Sequence, residues 1–411
     1  MPYYSFIMIG NNNWNLTRQA LNTLLESLDD TIKVKGIELL IINNGSTKET
    51  SAGIGDFKKK FSSEFLDIVE IRLPENMGYA IGLNMGLGYS GGEVITILNN
   101  DLVFSKGWFN GLVEILQNNN SVGVAVPYLS YAGTVQNVGV LFSSSKEIHK
   151  FAEKFMQENK DKVVFADNII STCVSFRRDL FNLIGGFDFW VGTSMACDID
   201  WSLRANIAGK KIAVVGSSFV YHIGNATFAI MPDVTAMADD YNNPKFILKW
   251  NLRGNENPEG LFYSFREIIK NNIYLRKKHY FPTKPSEFNL LPGSLLEKKS
   301  ENDKSILFIA DWNNTKSDWR KGLSNISKQV NPQGEVYLWV PQQYFRGEEV
   351  IPEIEKVLPN KNINIKYLFN NIFPIDILRF LKSFDVIFKV ENDYVNRYMI
   401  SFAKEIGLAI I

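Results

Sequence analysis

Three apolar runs in the first hundred residues each stop at a cluster of asparagines, and this repeat constrains the fold more than any other feature. Phe6 to Ile9 ends on Gly10-Asn11-Asn12-Asn13, Ile37 to Ile42 on Asn43-Asn44-Gly45-Ser46, and Val94 to Leu98 on Asn99-Asn100-Asp101. Short runs of this kind, bounded by turn-forming residues, fit strands buried in a parallel sheet. Between the first two, Leu16, Ala20, Leu24 and Leu28 recur at a spacing of four, with Leu21 and Leu25 beside them, as in an amphipathic helix. Ile68 to Leu73 reads as a further strand, and Gly78 to Tyr89 as a glycine-spaced helix. Strand alternating with helix predicts an open, largely parallel α/β sheet. Such sheets bind ligands beyond the carboxyl ends of their strands, where all three asparagine clusters fall.

The alternation fades between residues 231 and 300, where Asn243 to Trp250 and Glu267 to Lys278 read as helices joined by turns. It resumes with apolar runs at Ser305 to Ala310, Val336 to Val340, Ile365 to Phe369, Val386 to Val390 and Leu408 to Ile411. A chain of 411 residues is long for one ordinary domain. The pattern divides it into an α/β domain over 1–230, a mainly helical connecting region over 231–300, and a smaller Rossmann-like parallel α/β domain over 301–411.

Lysine plus arginine number 44 and aspartate plus glutamate 44, a balance that argues against coating nucleic acid or an anionic membrane with positive charge. The two cysteines, Cys173 and Cys197, give neither a disulfide framework nor a cysteine zinc site, and a reducing cytoplasm fits. Met1-Pro2-Tyr3-Tyr4-Ser5 lacks the basic region and apolar core of a signal peptide. No run reaches the roughly 18–20 apolar residues of a membrane helix. A membrane-linked partner would therefore be met peripherally, at the inner surface.

Polar residues at these strand ends can bear chemistry of three kinds: a carboxylate holding a divalent cation, a carboxylate acting as a base, and a loop holding a nucleotide. Asp101 ends a strand behind two neutral asparagines that can bond ribose or phosphate without adding repulsion, so it is the natural ligand for magnesium or manganese. Its bland reading is an Asn-Asn-Asp turn. His222 closes the short strand Ala213 to Tyr221 and counts as a ligand only if the fold brings Asp101 to it. Asp198 and Asp200 lie near the start of a helix, where residues two apart point about 200° from each other. Asp200 finds Arg204 four residues on, a helix-surface pair. Asp198 is left either to project into the cleft or to serve as an acidic first-turn residue.

Taken in order, these segments resemble the GT-A family-2 glycosyltransferases, especially their bacterial rhamnosyltransferase-like branch, from about Ser5 to Phe228. The resemblance rests on Ile41-Ile42-Asn43-Asn44-Gly45-Ser46-Thr47, Glu75-Asn76-Met77-Gly78-Tyr79-Ala80, Gly82-Leu83-Asn84-Met85-Gly86 and Leu98-Asn99-Asn100-Asp101. Gly185-Gly186-Phe187-Asp188, Cys197-Asp198-Ile199-Asp200 and Tyr221-His222-Ile223-Gly224 follow at the family's spacing. The resemblance implies an inverting transferase that uses a metal, Mn2+ or Mg2+, and a nucleotide-diphosphate sugar as donor. In it Asp101 and His222 hold the metal and Asp198 is the catalytic base. Asn11, Asn43, Asn76, Gly78, Asn84, Asn99 and Asn100 line the nucleotide pocket. Two positions depart from the family. Its base-contacting aspartate is Asn43 here, which leaves UDP- or dTDP-sugars the first choice of donor, and the glutamate before its catalytic aspartate is Cys197.

Ser383-Phe384-Asp385-Val386-Ile387-Phe388 and Ala403-Lys404-Glu405-Ile406-Gly407-Leu408-Ala409-Ile410-Ile411 resemble the closing stretch of a GT-B glycosyltransferase. The pair of glutamates that handles the donor there has its matching positions here at Tyr394 and Phe402, and the sequence runs out at the last strand, before the closing helix of such halves. The second domain is accordingly expected to be non-catalytic, serving acceptor positioning, homo-oligomerisation or contact with a partner. A glycan, lipid-linked glycan or protein acceptor is compatible with the sequence. The rival reading, an inactive sugar-nucleotide-binding or scaffold protein, draws on Asn43 and Cys197.

Overall fold

The computed structural model describes residues 2–63, 66–188, 196–224, 304–312, 316–329, 334–340, 347–358, 363–369 and 380–411. The chain forms two compact units, Met1–Lys278 and His279–Ile411. The helical connecting region expected over 231–300 lies outside the described residues.

In the first unit the described elements run β1 (Tyr4–Gly10), α1 (Trp14–Ser27), α2 (Asp30–Lys33), β2 (Ile37–Asn44), α3 (Lys48–Phe61), β3 (Leu66–Leu73), α4 (Tyr79–Tyr89), β4 (Val94–Asn99) and β5 (Leu102–Phe104). They continue with α5 (Asn110–Asn118), β6 (Val122–Leu129), α6 (Ser145–Glu158), β7 (Val163–Ala166), β8 (Cys173–Arg177), α7 (Arg178–Ile184), α8 (Ala196–Ile207) and β9 (Lys211–His222). The strands make one sheet in the order β3-β2-β1-β4-β8-β6-β9-β5, with β7 paired to β9. The expected parallel alternation holds for β1 to β4. Beyond them the sheet is mixed, because β8 runs antiparallel to β4 and β6, and β5 and β7 run antiparallel to β9. Strand β9 extends beyond the run read from Ala213 to Tyr221 at both ends, and its pairing with β6 shifts register between Val215 and Phe219, where Gly216, Ser217 and Ser218 lie.

Register turns three separate sequence clusters into one surface. Gly10 lies level with Asn43, and Ile9 lies level with Asn99, so the asparagine ends of β1, β2 and β4 emerge side by side. Every residue of β2 is buried, as expected of a strand covered on both faces. Helix α4 owes its glycines to close approach. A Cβ on Gly82 would stand 2.4 Å from Ile9 Cδ1, and one on Gly86 would stand 2.4 Å from Ile7 Cγ2. The helix therefore lies against β1, and that contact fixes the loop that precedes it.

The second unit contains β10 (Ser305–Ile309), α9 (Trp319–Gln329), β11 (Glu335–Trp339), α10 (Gly347–Val357), β12 (Asn364–Leu368), β13 (Val386–Ile387), α11 (Tyr394–Glu405) and β14 (Ala409–Ile410). Its five described strands are parallel in the order β12-β11-β10-β13-β14. The strand order reverses between β10 and β13, the point at which open sheets of this kind bind ligands.

Candidate active site

The loop after β1 opens with Asn12 and Asn13 both at φ 56°, a left-handed conformation that asparagine tolerates better than most residues. Asn11 Nδ2 donates to the carbonyl of Asn44 at 2.6 Å, and Asn12 accepts from Thr47 N–H at 2.8 Å while its own N–H donates to Ser46 Oγ at 2.9 Å. The β1 and β2 loops are thereby stitched together. Asn44 extends the stitch to the next loop. Its Nδ2 donates to Asn76 Oδ1 at 3.0 Å and to the Gly78 carbonyl at 3.2 Å, and its Oδ1 accepts from Met77 N–H at 2.9 Å. Gly45 sits where these loops cross, and a Cβ there would meet the Glu75 backbone at 2.1 Å.

The sequence-predicted pocket residues divide by what their side chains are doing. Asn43 is fully buried, with Nδ2 on Glu70 Oε1 at 2.6 Å and on Ser51 Oγ at 2.9 Å, and with Oδ1 accepting from Ser46 N–H at 3.1 Å. Glu70, a residue the sequence did not single out, thus brings a carboxylate to Asn43, with Arg72 Nη2 at 3.2 Å from the same oxygen. Asn84 is 2% exposed and spends its amide on both backbone groups of Phe187, at 2.6 and 2.8 Å. That makes it the fastening of the Gly185–Asp188 loop. Asn100 donates to Thr17 Oγ1 at 2.9 Å. Asn99 differs: its Oδ1 is buried without a hydrogen-bond partner among the described residues.

The β5–β9 ladder decides the fate of Asp101 and His222. It pairs Leu102 with His222, and the Asp101 carbonyl accepts from Ile223 N–H at 3.0 Å. Residues far apart in sequence are drawn together, with His222 Nε2 3.3 Å from Asp101 Oδ2. His222 Nδ1 lies 3.1 Å from the Tyr131 carbonyl, which can only accept, so Nδ1 carries a proton, while Nε2 donates to Asp101 in the protonated ring and offers a lone pair once that proton is lost. Burial works against the imidazolium, but the hydrogen bond and charge of Asp101 outweigh it and raise the histidine above its ordinary value. Asp101 is 5% exposed, and its Oδ1 is a second buried acceptor without a partner among the described residues. Acceptors gathered in this way, from oxygen and imidazole nitrogen, suit a divalent cation such as Mg2+ or Mn2+. Among the described residues no group of three or more His, Cys, Asp or Glu could hold a metal. A cation bound at Asp101 and His222 would take its remaining ligands from substrate oxygens and water, the usual habit of magnesium.

Asp198 and Asp200 separate as the helical geometry requires, but their surroundings correct the sequence reading. The Asp200–Arg204 pair, expected on the helix surface, is fully buried at 2.9 Å, and the guanidinium also donates to the carbonyls of Ile184 and Gly186. It pins the loop that Asn84 holds from the other side. Asp198 is only partly buried. Its Oδ1 accepts from Ser171 Oγ and from Cys197 Sγ at 3.7 Å, and its Oδ2 accepts from Ser171 N–H at 3.3 Å. Desolvation raises Asp198 from 3.8 to about 6 despite these donors. Burial also holds Cys197 well above its usual range, which leaves it a neutral thiol and not a nucleophile. Tyr79, at the start of α4, donates to the Ser171 carbonyl at 2.7 Å. Neither Ser171 nor the role of Tyr79 had a signal in the sequence, since both act through contacts 92 residues apart.

Residues 5–185 match glycosyl transferase family 2. Among curated relatives, the O-antigen biosynthesis protein RfbC of Myxococcus xanthus is 26% identical over 221 residues, covering 50% of this chain and 16% of that protein. Uncharacterized protein y4gI of Sinorhizobium fredii is 24% identical over 229 residues, covering 51% of this chain and 24% of its own length. The chain therefore spans a minor part of both relatives. Similar solved structures include the mannosyltransferase PcManGT from Pyrobaculum calidifontis in complex with GDP-Man and Mn2+, with TM-score 0.43, 17% identity, and coverage of 67% of this chain and 70% of that one. GalNAc-T7 with UDP, GalNAc and Mn2+ gives a TM-score of 0.44 at 14% identity over 67% of this chain and 57% of that one.

Proposed function

With residues 5–185 placing the first unit in glycosyl transferase family 2, we propose that it moves a sugar from a nucleotide diphosphate to an acceptor hydroxyl by a single inverting displacement. The observation that carries this reading is the meeting of Asp101 and His222 at 3.3 Å, with the other Asp101 oxygen buried and unpartnered among the described residues. When bound there, a divalent cation supplies charge neutralisation of the leaving diphosphate. Asp101 offers a carboxylate oxygen and His222 offers Nε2, held in that tautomer by the Tyr131 carbonyl. Asp198 is the base. Its carboxylate takes the acceptor's proton, the acceptor oxygen forms the new bond to the anomeric carbon, and the old bond's electron pair leaves with the diphosphate. A value raised to about 6 keeps Asp198 ionised at neutral pH and makes it a better base than an ordinary aspartate.

Asn43, which argued for an inactive binder, does not stand alone. It holds Glu70 at 2.6 Å, so a carboxylate from the neighbouring strand lies beside the position where the family carries its aspartate. Nucleotide contacts fall to Asn11, Asn76, Gly78 and Asn99 along the stitched loops. UDP- or dTDP-sugars remain the first choice of donor, and a glycan, lipid-linked glycan or protein hydroxyl is the acceptor class. No helix among the described residues is long and apolar enough to cross a membrane.

The second unit is proposed to be non-catalytic, with a role in acceptor positioning, self-association or partner contact. Support comes from its strand-order reversal, where Asn396 spans the space with its own amide. Nδ2 donates to the Ile309 carbonyl at 2.9 Å and to the Phe388 carbonyl at 2.8 Å, and Oδ1 accepts from Val390 N–H at 2.8 Å. A side chain saturated in this way ties the ends of β10 and β13 to each other.

Calorimetry with UDP-, dTDP- and GDP-sugars, with and without Mn2+, tests the reading. One donor should bind only with metal, and Asp101→Ala should remove that dependence. Equal affinity with and without metal would overturn the assignment of Asp101 and His222.

A further inference from the structure

Asp198 is held by more than its own helix. Ser171 lies in the turn that enters β8 and is 1% exposed. Its neighbour Thr172 receives Asn99 N–H at 2.9 Å, so the turn is attached to the strand end that carries Asp101. Tyr79 holds the same turn from the α4 side by donating to the Ser171 carbonyl at 2.7 Å, with its oxygen 3.1 Å from Ser171 Oγ. From this anchored position Ser171 reaches both oxygens of one carboxylate.

The lone-pair count then becomes informative. A carboxylate has about four acceptor sites, two on each oxygen. Oδ1 receives the Ser171 hydroxyl and the Cys197 thiol, which fills it. Oδ2 receives only the Ser171 N–H among the described residues, which leaves one site on that oxygen. Asp198 as a residue is only partly buried, and this remaining site is the one left for an incoming hydroxyl.

We propose that Ser171 is the positioning residue of the transfer step, clamping Asp198 through its hydroxyl and N–H so that Oδ2 alone accepts the acceptor's proton. The proposal rests on the reading of Asp198 as the base. Among the described residues, the titratable groups facing that carboxylate are Tyr79 from α4 and Cys197 from its own helix, and burial keeps both neutral. The ionised carboxylate is therefore stabilised by hydrogen bonds and by no described cation, and the Ser171 hydroxyl is the strongest of those donors.

The test has one arm that needs no substrate. The thermal stability of the protein is compared with that of Asp198→Asn across a pH series, and the pH at which their difference levels off reports the folded-state ionisation of Asp198. Repeating the pair with Ser171→Ala should move that pH upward by about one to two units, the worth of a hydrogen bond to a charged group. Ser171→Cys, which keeps the volume with a weaker donor, should fall between, and it covers the case in which Ser171→Ala does not fold. A levelling-off pH that does not move in these variants would overturn the clamp. The second arm follows release of nucleotide diphosphate from whichever of UDP-, dTDP- or GDP-sugar binds with Mn2+. There the acid limb of kcat should shift upward with Ser171→Ala while the KM for donor stays constant. A uniform loss at every pH would mean that Ser171 is only structural. Turnover retained by Asp198→Asn would sink the base assignment of the preceding section, while a shift in the stability arm would still stand.

Discussion

A carboxylate held in a partly buried site, as the proposed base Asp198 is, should cost the fold something, and that cost can be worked out. Desolvation takes its carboxylate from 3.8 to about 6. The folded protein thus binds this proton more tightly than the unfolded chain does. Asp198 weighs nothing against stability below about pH 4, where both states are protonated, and its penalty grows as pH rises through about 6. A shift of about two units corresponds to about 3 kcal/mol at neutral pH. Asp198 keeps some contact with solvent, and asparagine would lose part of the three-donor arrangement, so the expected gain from Asp198→Asn is smaller, about 1–2 kcal/mol. In a unit of this size that amounts to about 2–6 °C. Amide exchange of peptides from β8 and α8, followed during thermal unfolding at about pH 8 and about pH 4, reads this unit separately from the second. The variant should be the more stable protein at the higher pH, with no gain at the lower one. A variant less stable than the parent at about pH 8, or one equally stabilised at both, would refute the reasoning.

Three further outcomes follow from the geometry. Arg204→Ala removes the cation from a fully buried ion pair together with the ties to Ile184 and Gly186, and should destabilise the first unit by about 3–5 kcal/mol in urea unfolding. A change under 1 kcal/mol would mean that the pair is not buried. Gly86→Ala places a Cβ 2.4 Å from Ile7 Cγ2 and should cost about 1–3 kcal/mol by the same assay, whereas helix propensity alone would make it stabilising. His222→Gln should weaken Mn2+-dependent donor binding at least about tenfold in calorimetry. Unchanged metal dependence would confine His222 to pairing with Asp101.

What the sequence made legible was whatever depends on local pattern. The apolar runs of β1, β2 and β4 predicted parallel strands and their polar ends, and the glycine-spaced helix read over Gly78 to Tyr89 is found as α4, whose close approach to β1 at Gly82 the spacing alone did not announce. Local pattern is silent about the far partner of a strand. Nothing near Cys173–Arg177 announces that β8 will insert antiparallel beside β4, and that insertion is what carries Ser171 to Asp198. Burial was equally out of reach. The four-residue spacing of Asp200 and Arg204 predicts their contact, but the same spacing serves a surface pair and a buried clamp alike. Asn43 shows the limit most clearly, because its substitution reads as a missing charge until Glu70 from the next strand is found bonded to it.

The abundance of asparagine around the cleft has a physical consequence of its own. Asn11, Asn12, Asn44 and Asn76 fasten three loops by neutral hydrogen bonds between amides and backbone. Aspartates in those positions could accept from N–H groups, but they could not donate to the carbonyls of Asn44 and Gly78 as Asn11 and Asn44 do. They would also gather like charges where the proposed diphosphate donor would bind, and each would repel that ligand and raise the others' pKa values. Amides give the loops their rigidity without either effect. Negative charge is then left to carboxylates with distinct surroundings: Asp101, one oxygen of which lies 3.3 Å from His222 Nε2, and Asp198, which donors saturate on one oxygen and leave open on the other. In the proposed reaction the first would hold a cation and the second would take a proton, the division of labour that an inverting displacement requires of the two sides of its anomeric carbon.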